Sequence, residues 1–405
     1  MLNSQTKIRA MIEKEVEAND GILRLEPAWV ARDWISPGRR LGLPPDQYEL
    51  GPRGGICERW IGSTTSADNK ISVPHEGLSF LNLLESKLDI EKKITLKDAI
   101  EDAGDIIMGK EYAEKHNGLN RLAKVFDFAD RLPYHIHQMQ QHAKLVGKNS
   151  KDEAYYFPEG VDMGPHPETF FGVHPYISKE KKHELLLSHL IEWKDDDILQ
   201  HAFAYQQRAE DGFHIPSGIL HAPGSALTIE LQEDSDVFVA MQAKIGKTFI
   251  SKDWLYKDVR IEDKEKYEEK IILEMINWKL SGDPNFYKNR HTPPVLIEET
   301  KNESGEEYWI FYNTPKFSGK KLIVHPGKKY FTKDNGVYNI LVWRGKGIYS
   351  EFEIEGENFE KDELLICHDK AINGLNVQNN SNDDLIIFKF FGPDINNDIP
   401  YLKSY

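Results

Sequence analysis

The sequence predicts an all-β protein of two strand-rich domains, the first interrupted by a small helical insert. Three observations carry this. The chain has 405 residues, more than one compact core usually supports. Beyond residue 305 strand follows strand, in YWIFYN, KLIVHPG, GVYNILVWRGKGIYSEFEIEG, DELLICHD and DLIIFKFFG, with Asn and Gly at the turns between. Residues 20–75 and 120–250 also break into short apolar runs punctuated by Pro and Gly.

In chain order, the opening segment MLNSQTKIRAMIEKEVEAN sets Ile8, Met11, Ile12 and Val16 at helical spacing among charges, without the apolar core of a signal peptide. Residues 20–75 read as short strands and turns. Residues 76–117 change character: Leu78, Leu81 and Leu84, then Ile100 and Ile107, suggest helices, with Thr95 and Asp98 spaced as a capping pair. A further helix is expected in SKEKKHELLLSHL. The amphipathic run EDKEKYEEKIILEMINWKL at 262–280 predicts a long helix, and the Pro- and Gly-bearing stretch at 282–294 marks a boundary. The expected division is a metal-binding domain over 20–260 with its insert at 76–117, a helix and linker over 261–304, and a metal-free domain over 305–405.

Hydrophobic residues at 40% and charged residues at 29% fit a soluble globular chain. A net charge of −15 with no basic tract argues against nucleic acid or an anionic membrane as partner. No apolar run reaches bilayer-spanning length. Cys57 and Cys367 supply neither a disulfide framework nor a CxxC pair, so a cytoplasmic location is expected. Oligomeric state is not legible.

The stretch RLPYHIHQMQQHAKLVGKNSKDEAYYF carries the chemistry. His135 and His137 stand two apart in a strand-like context, so both imidazoles face one space. Glu153 opens the next aromatic strand as a hard anionic ligand, and the Pro216-Ser217-Gly218 turn places His221 on a later strand. Three imidazoles and a carboxylate suit Zn²⁺, Fe²⁺, Mn²⁺, Co²⁺ or Ni²⁺. His142, His166, His174, His183, His189, His201 and His214 lack convergent partners and read as structural or surface residues. The C-terminal domain has no HxH, and its corresponding turn offers only His368.

The order HxH, Glu, PxGxxH resembles the cupin signature, and more closely that of the type I mannose-6-phosphate isomerases. LAKVFDFADRLPYHIHQ, KDEAYYF, GFHIPSGILHA, ELQEDSD at 230–236 and ERWIGST at 58–64 are similar to that family's blocks, in its order. The resemblance implies a bicupin, two double-stranded β-helix (jelly-roll) barrels. It also implies zinc at His135, His137, Glu153 and His221, a catalytic or substrate-orienting Glu230, and a small sugar phosphate as substrate. The expected reaction is the interconversion of mannose 6-phosphate and fructose 6-phosphate. Two positions depart from the family: His135 stands where Gln is usual, and Val239-Ala240 where a Tyr-Arg pair is usual. Arg260 is a candidate substitute for that Arg, and Lys124, Arg131 and Lys144 are candidate phosphate contacts. A metal-dependent cupin oxygenase and a non-catalytic sugar-binding cupin are the alternatives.

Overall fold

The computed structural model describes residues 4–83 and 93–404. Antiparallel sheets dominate it, arranged as two sandwiches.

In the first, a six-stranded sheet runs in spatial order Gly212–Ile215, Glu153–Tyr156, Thr228–Gln232, Leu122–Phe126, Gly55–Ile61 and Ala28–Arg32. Its companion sheet has five strands, in the order Val239–Ala240, His135–Ile136, His221–Ala222, Glu168–Phe171 and Phe203–Gln206. Phe126, Tyr155 and Phe213 from the former share a buried core with Phe171 from the latter.

The second sandwich faces an eight-stranded sheet with a four-stranded one. Leu322, Ile340 and Leu364 of the larger sheet pack with Tyr330 and Val377 of the smaller. Its interior is not wholly apolar. Lys389 Nζ bonds Glu307 at 3.0 Å, Asp334 at 2.8 Å and Thr332, while Lys320 bonds Asp334 at 2.7 Å.

The two sandwiches meet through their large sheets, and this explains where polar residues go. Thr228–Gln232 is buried along its whole length, so both faces need partners. Ile229 and Leu231 pack on Phe388 and Phe390 of the other sandwich, which turns Glu230 inward. Leu122–Phe126 repeats the pattern, with Ala123 and Val125 at the contact and Lys124 inside.

Spatial grouping departs from chain order near the start. Ile22–Glu26 and Phe80–Leu81, read with the first domain, extend the eight-stranded sheet of the second, with Ile22 paired to Ile366. Edge pairing is chosen by non-local contacts that a strand's own pattern does not specify. Leu81 is therefore in a strand rather than a helix, and Leu84 lies outside the described residues. The helix Leu96–Met108 does form. Asp98 N–H donates to Thr95 Oγ1 at 3.0 Å, and the helix buries Ile100 and Ile107 in the core of the second sandwich.

Residues 262–280 form not one helix but three pieces, Ile261–Tyr267, Lys270–Glu274 and Trp278–Ser281. Glu268 at φ +50° breaks the first, and the Asn277 side chain caps the third. Among the described residues no helix is long and apolar enough to cross a membrane.

Candidate metal centre and sugar site

His135–Ile136 is flanked by Val239–Ala240 on one side and His221–Ala222 on the other, with His221 directly opposite His135. His137 follows on the same face. The three ring centroids lie 4.0–5.1 Å apart. Each Nδ1 meets a backbone carbonyl: Pro133 at 2.6 Å for His135, Val237 at 2.6 Å for His137 and Ile219 at 2.8 Å for His221. A carbonyl only accepts, so each Nδ1 carries the proton and each Nε2 presents a lone pair to the centre. Burial, reinforced by the other two imidazoles, holds His135 well below its usual value. Burial and the Lys151 ammonium push His137 down to about 3. The three Nε2 donors lie within 4.8 Å of one another, a spacing that can hold a metal ion.

Glu153 closes the cluster from the six-stranded sheet. Its Oε1 is 2.9 Å from His221 Nε2 and its Oε2 is 3.0 Å from His137 Nε2. His221 Nε2 is buried and receives no hydrogen bond. A lone pair set against a carboxylate oxygen at that distance is repulsive unless a cation lies between them, so the donor set fits a divalent metal. Tyr155 donates its hydroxyl to Glu153 and fixes that carboxylate.

Beyond these residues the cavity alternates in charge. Glu230 lies between Lys124 Nζ and Lys151 Nζ, each at 3.2 Å, and Lys151 reaches on to Glu153 at 2.9 Å. Burial raises Glu230 to about 7 against the pull of both lysines. Burial acts to lower Lys151, but Glu153 and Glu230 outweigh it and hold the ammonium above its ordinary range. Glu58 accepts from Arg32 at 2.6 Å and from the Trp60 indole at 2.7 Å. Burial works to raise Glu58, yet Arg32 and Lys124 bring it down to about 2. Asp236, 3.3 Å from Arg32, and Lys257 complete the polar wall. Trp34, Phe238 and Trp254, with centroids 5.6–6.0 Å apart, form the apolar wall.

The structure thus brings together His135, His137, Glu153, His221 and Glu230. Of the expected cations only Lys124 lines the cavity. Arg131 is engaged by Glu168, Arg260 by Asp263 at 2.8 Å, and Lys144 sits in the turn Lys144–Val146, outside the cavity lining. Ala240 is buried opposite His135. Sequence reasoning missed Arg32, Glu58, Lys151, Asp236 and Lys257. Lys151 was within reach, because it stands just two residues before Glu153, at the entry to that strand, and both line the cavity. Arg32 was not, since a register irregularity at Val30/Ala31 interrupts its strand's alternation.

No protein-family model matches the chain, and no curated protein sequence matches it significantly. Solved structures do. The mannose 6-phosphate isomerase from Bacillus subtilis superposes with a TM-score of 0.55 at 14% identity, over 91% of this chain and 99% of that one. A variant of the phosphomannose isomerase from Salmonella typhimurium gives 0.60 at 11% identity, over 92% and 100%. The chain has the phosphomannose isomerase fold. A third structure of that fold, a mannose 6-phosphate isomerase bound with zinc and yttrium, gives 0.59 at 11% identity over the same shares. At these identities the phosphomannose isomerase likeness concerns architecture, and the chemistry rests on the residues themselves.

Proposed function

We propose that this chain is a zinc-dependent sugar-phosphate isomerase of bicupin architecture, interconverting mannose 6-phosphate and fructose 6-phosphate through an enediol. The observation that carries the reading is Glu230, a buried carboxylate held between two lysines beside three clustered histidines and the Glu153 carboxylate that contacts two of them. The zinc-bound isomerase of the same fold supports the choice of metal. The interior of the C-terminal cupin, occupied by Lys389 and its partners, is given a packing role.

His135, His137, Glu153 and His221 would hold the ion, which supplies Lewis-acid polarisation of the substrate oxygens. Glu230 takes the proton from the carbon next to the carbonyl and returns it to the neighbouring carbon. Lys124 and Lys151 orient that carboxylate. Lys151, 3.1 Å from His137 Nε2 and 3.2 Å from Glu230, also offers an ammonium to the oxygen on which charge develops. Trp34, Phe238 and Trp254 shield the reacting carbons from water. Four cations line the cavity (Arg32, Lys124, Lys151, Lys257) against four carboxylates (Glu58, Glu153, Glu230, Asp236). A divalent ion raises that balance to a surplus of two positive charges, which a phosphate monoester dianion neutralises.

The test is a coupled assay of zinc-loaded protein with mannose 6-phosphate beside His137→Ala. Turnover lost in the variant supports the reading. Buried Ala240, where the resemblance calls for Arg, favours a second reading: sugar-phosphate binding without turnover. Retained zinc and substrate affinity in an inactive parent protein would establish it.

A further inference from the structure

A second concave surface lies outside the metal cavity. It is a groove bounded by Trp278–Ser281, Phe286–Arg290, Lys179, and the tail at Leu402 and Ser404, with about 1350 Å³ of atom-free space open to solvent. Lys179, Lys279 and Arg290 line it against one carboxylate, Asp283. Asp283 is already committed: it accepts from Asn285 N–H at 2.8 Å and from Asn289 Nδ2 at 2.7 Å. Arg290 is half-buried and, among the described residues, forms no hydrogen bond or close ion pair. Burial lowers its pKa against the fields of Asp283 and Asp152, and its own charge acts on His214. A guanidinium withdrawn from water without a counter-ion is costly. It is also shaped for bidentate capture of phosphate oxygens.

We propose that this groove binds the phosphate group of a small molecule, or inorganic phosphate itself, with Arg290 as the fork and Lys279 and Lys179 as flanking charges. The site is distinct from the metal cavity but joined to it by backbone. Asn277 N–H donates to Gly218 O at 2.8 Å, and Gly218 N–H donates to His137 O at 2.7 Å. The groove wall at Trp278 is thus two hydrogen bonds from a residue of the metal cluster.

The test is calorimetric titration of inorganic phosphate into the zinc-loaded full chain, Arg290→Gln, Lys279→Gln and a surface control, Lys301→Gln. Arg290→Gln is expected to lower the affinity of one phosphate site about tenfold or more. Lys279→Gln should weaken the same site several-fold, and Lys301→Gln should match the parent. Because Lys279 is exposed, its variant decides the matter if Arg290→Gln unfolds. Titrations of Arg290→Gln and Lys279→Gln that match the parent would overturn the proposal. So would equal weakening by Lys279→Gln and Lys301→Gln, which is a bulk charge effect.

Discussion

His135 and His221 face each other across one antiparallel strand pair, with ring centroids 4.0 Å apart, although 86 positions separate them in the chain. That register brings His221 to the imidazole pair that the His135–His137 spacing already sets on one face. Each ring is further locked by its own carbonyl acceptor, so the Nε2 atoms converge before any ligand arrives.

Removing one donor should therefore release the metal without unfolding the sheet. His221→Ala is expected to purify with sharply reduced zinc by elemental analysis and an unchanged far-ultraviolet circular dichroism spectrum. Full zinc content in the variant would remove His221 from the ligand set.

Glu230→Gln keeps the shape and loses the proton acceptor. The expected result is a kcat lower by about 10²–10⁴-fold with zinc content retained. A variant within a few-fold of the parent would leave Glu230 as a scaffold residue.

Glu58 gives a pH signature separate from the metal ligands. Arg32 and Lys124 outweigh burial and bring its pKa from 4.5 down to about 2, so the native state binds fewer protons than the unfolded chain in that interval. The stabilisation is fully present above pH 4.5 and is lost as pH falls toward 2, on the order of 3 kcal/mol. Denaturant melts across that window should show a shallower fall for Glu58→Gln than for the parent. Equal slopes would contradict the assignment.

The second sandwich offers a stability test away from the chemistry. Lys389→Met leaves Glu307 and Asp334 short of a buried cation, with an expected cost of about 3–5 kcal/mol. Thermal melts would show it. kcat, measured where the variant is folded, should not change.

The convergence of His135, His137, Glu153, His221 and Glu230 on one cavity was legible because strand parity and motif order survive in the sequence even where overall identity is low. The supporting charges were not. Arg32 reaches Glu58 and Asp236 through pairings between distant segments, and Arg260, placed by sequence near the site, is taken by Asp263 one helical turn away. The strand character of the chain was readable from alternation, but the attachment of Ile22–Glu26 to the far sandwich was not, since its apolar residues suit either sheet edge. The capping pair at Thr95 shows the converse: a signal confined to four residues was read correctly.

The most direct measurement is proton NMR of mannose 6-phosphate in D₂O with the zinc-loaded protein, following the proton on C2. The proposed enediol route predicts fructose 6-phosphate formation with loss of that proton from C2, both suppressed in Glu230→Gln. A zinc-loaded parent protein that leaves the C2 proton in place and forms no ketose would contradict the account.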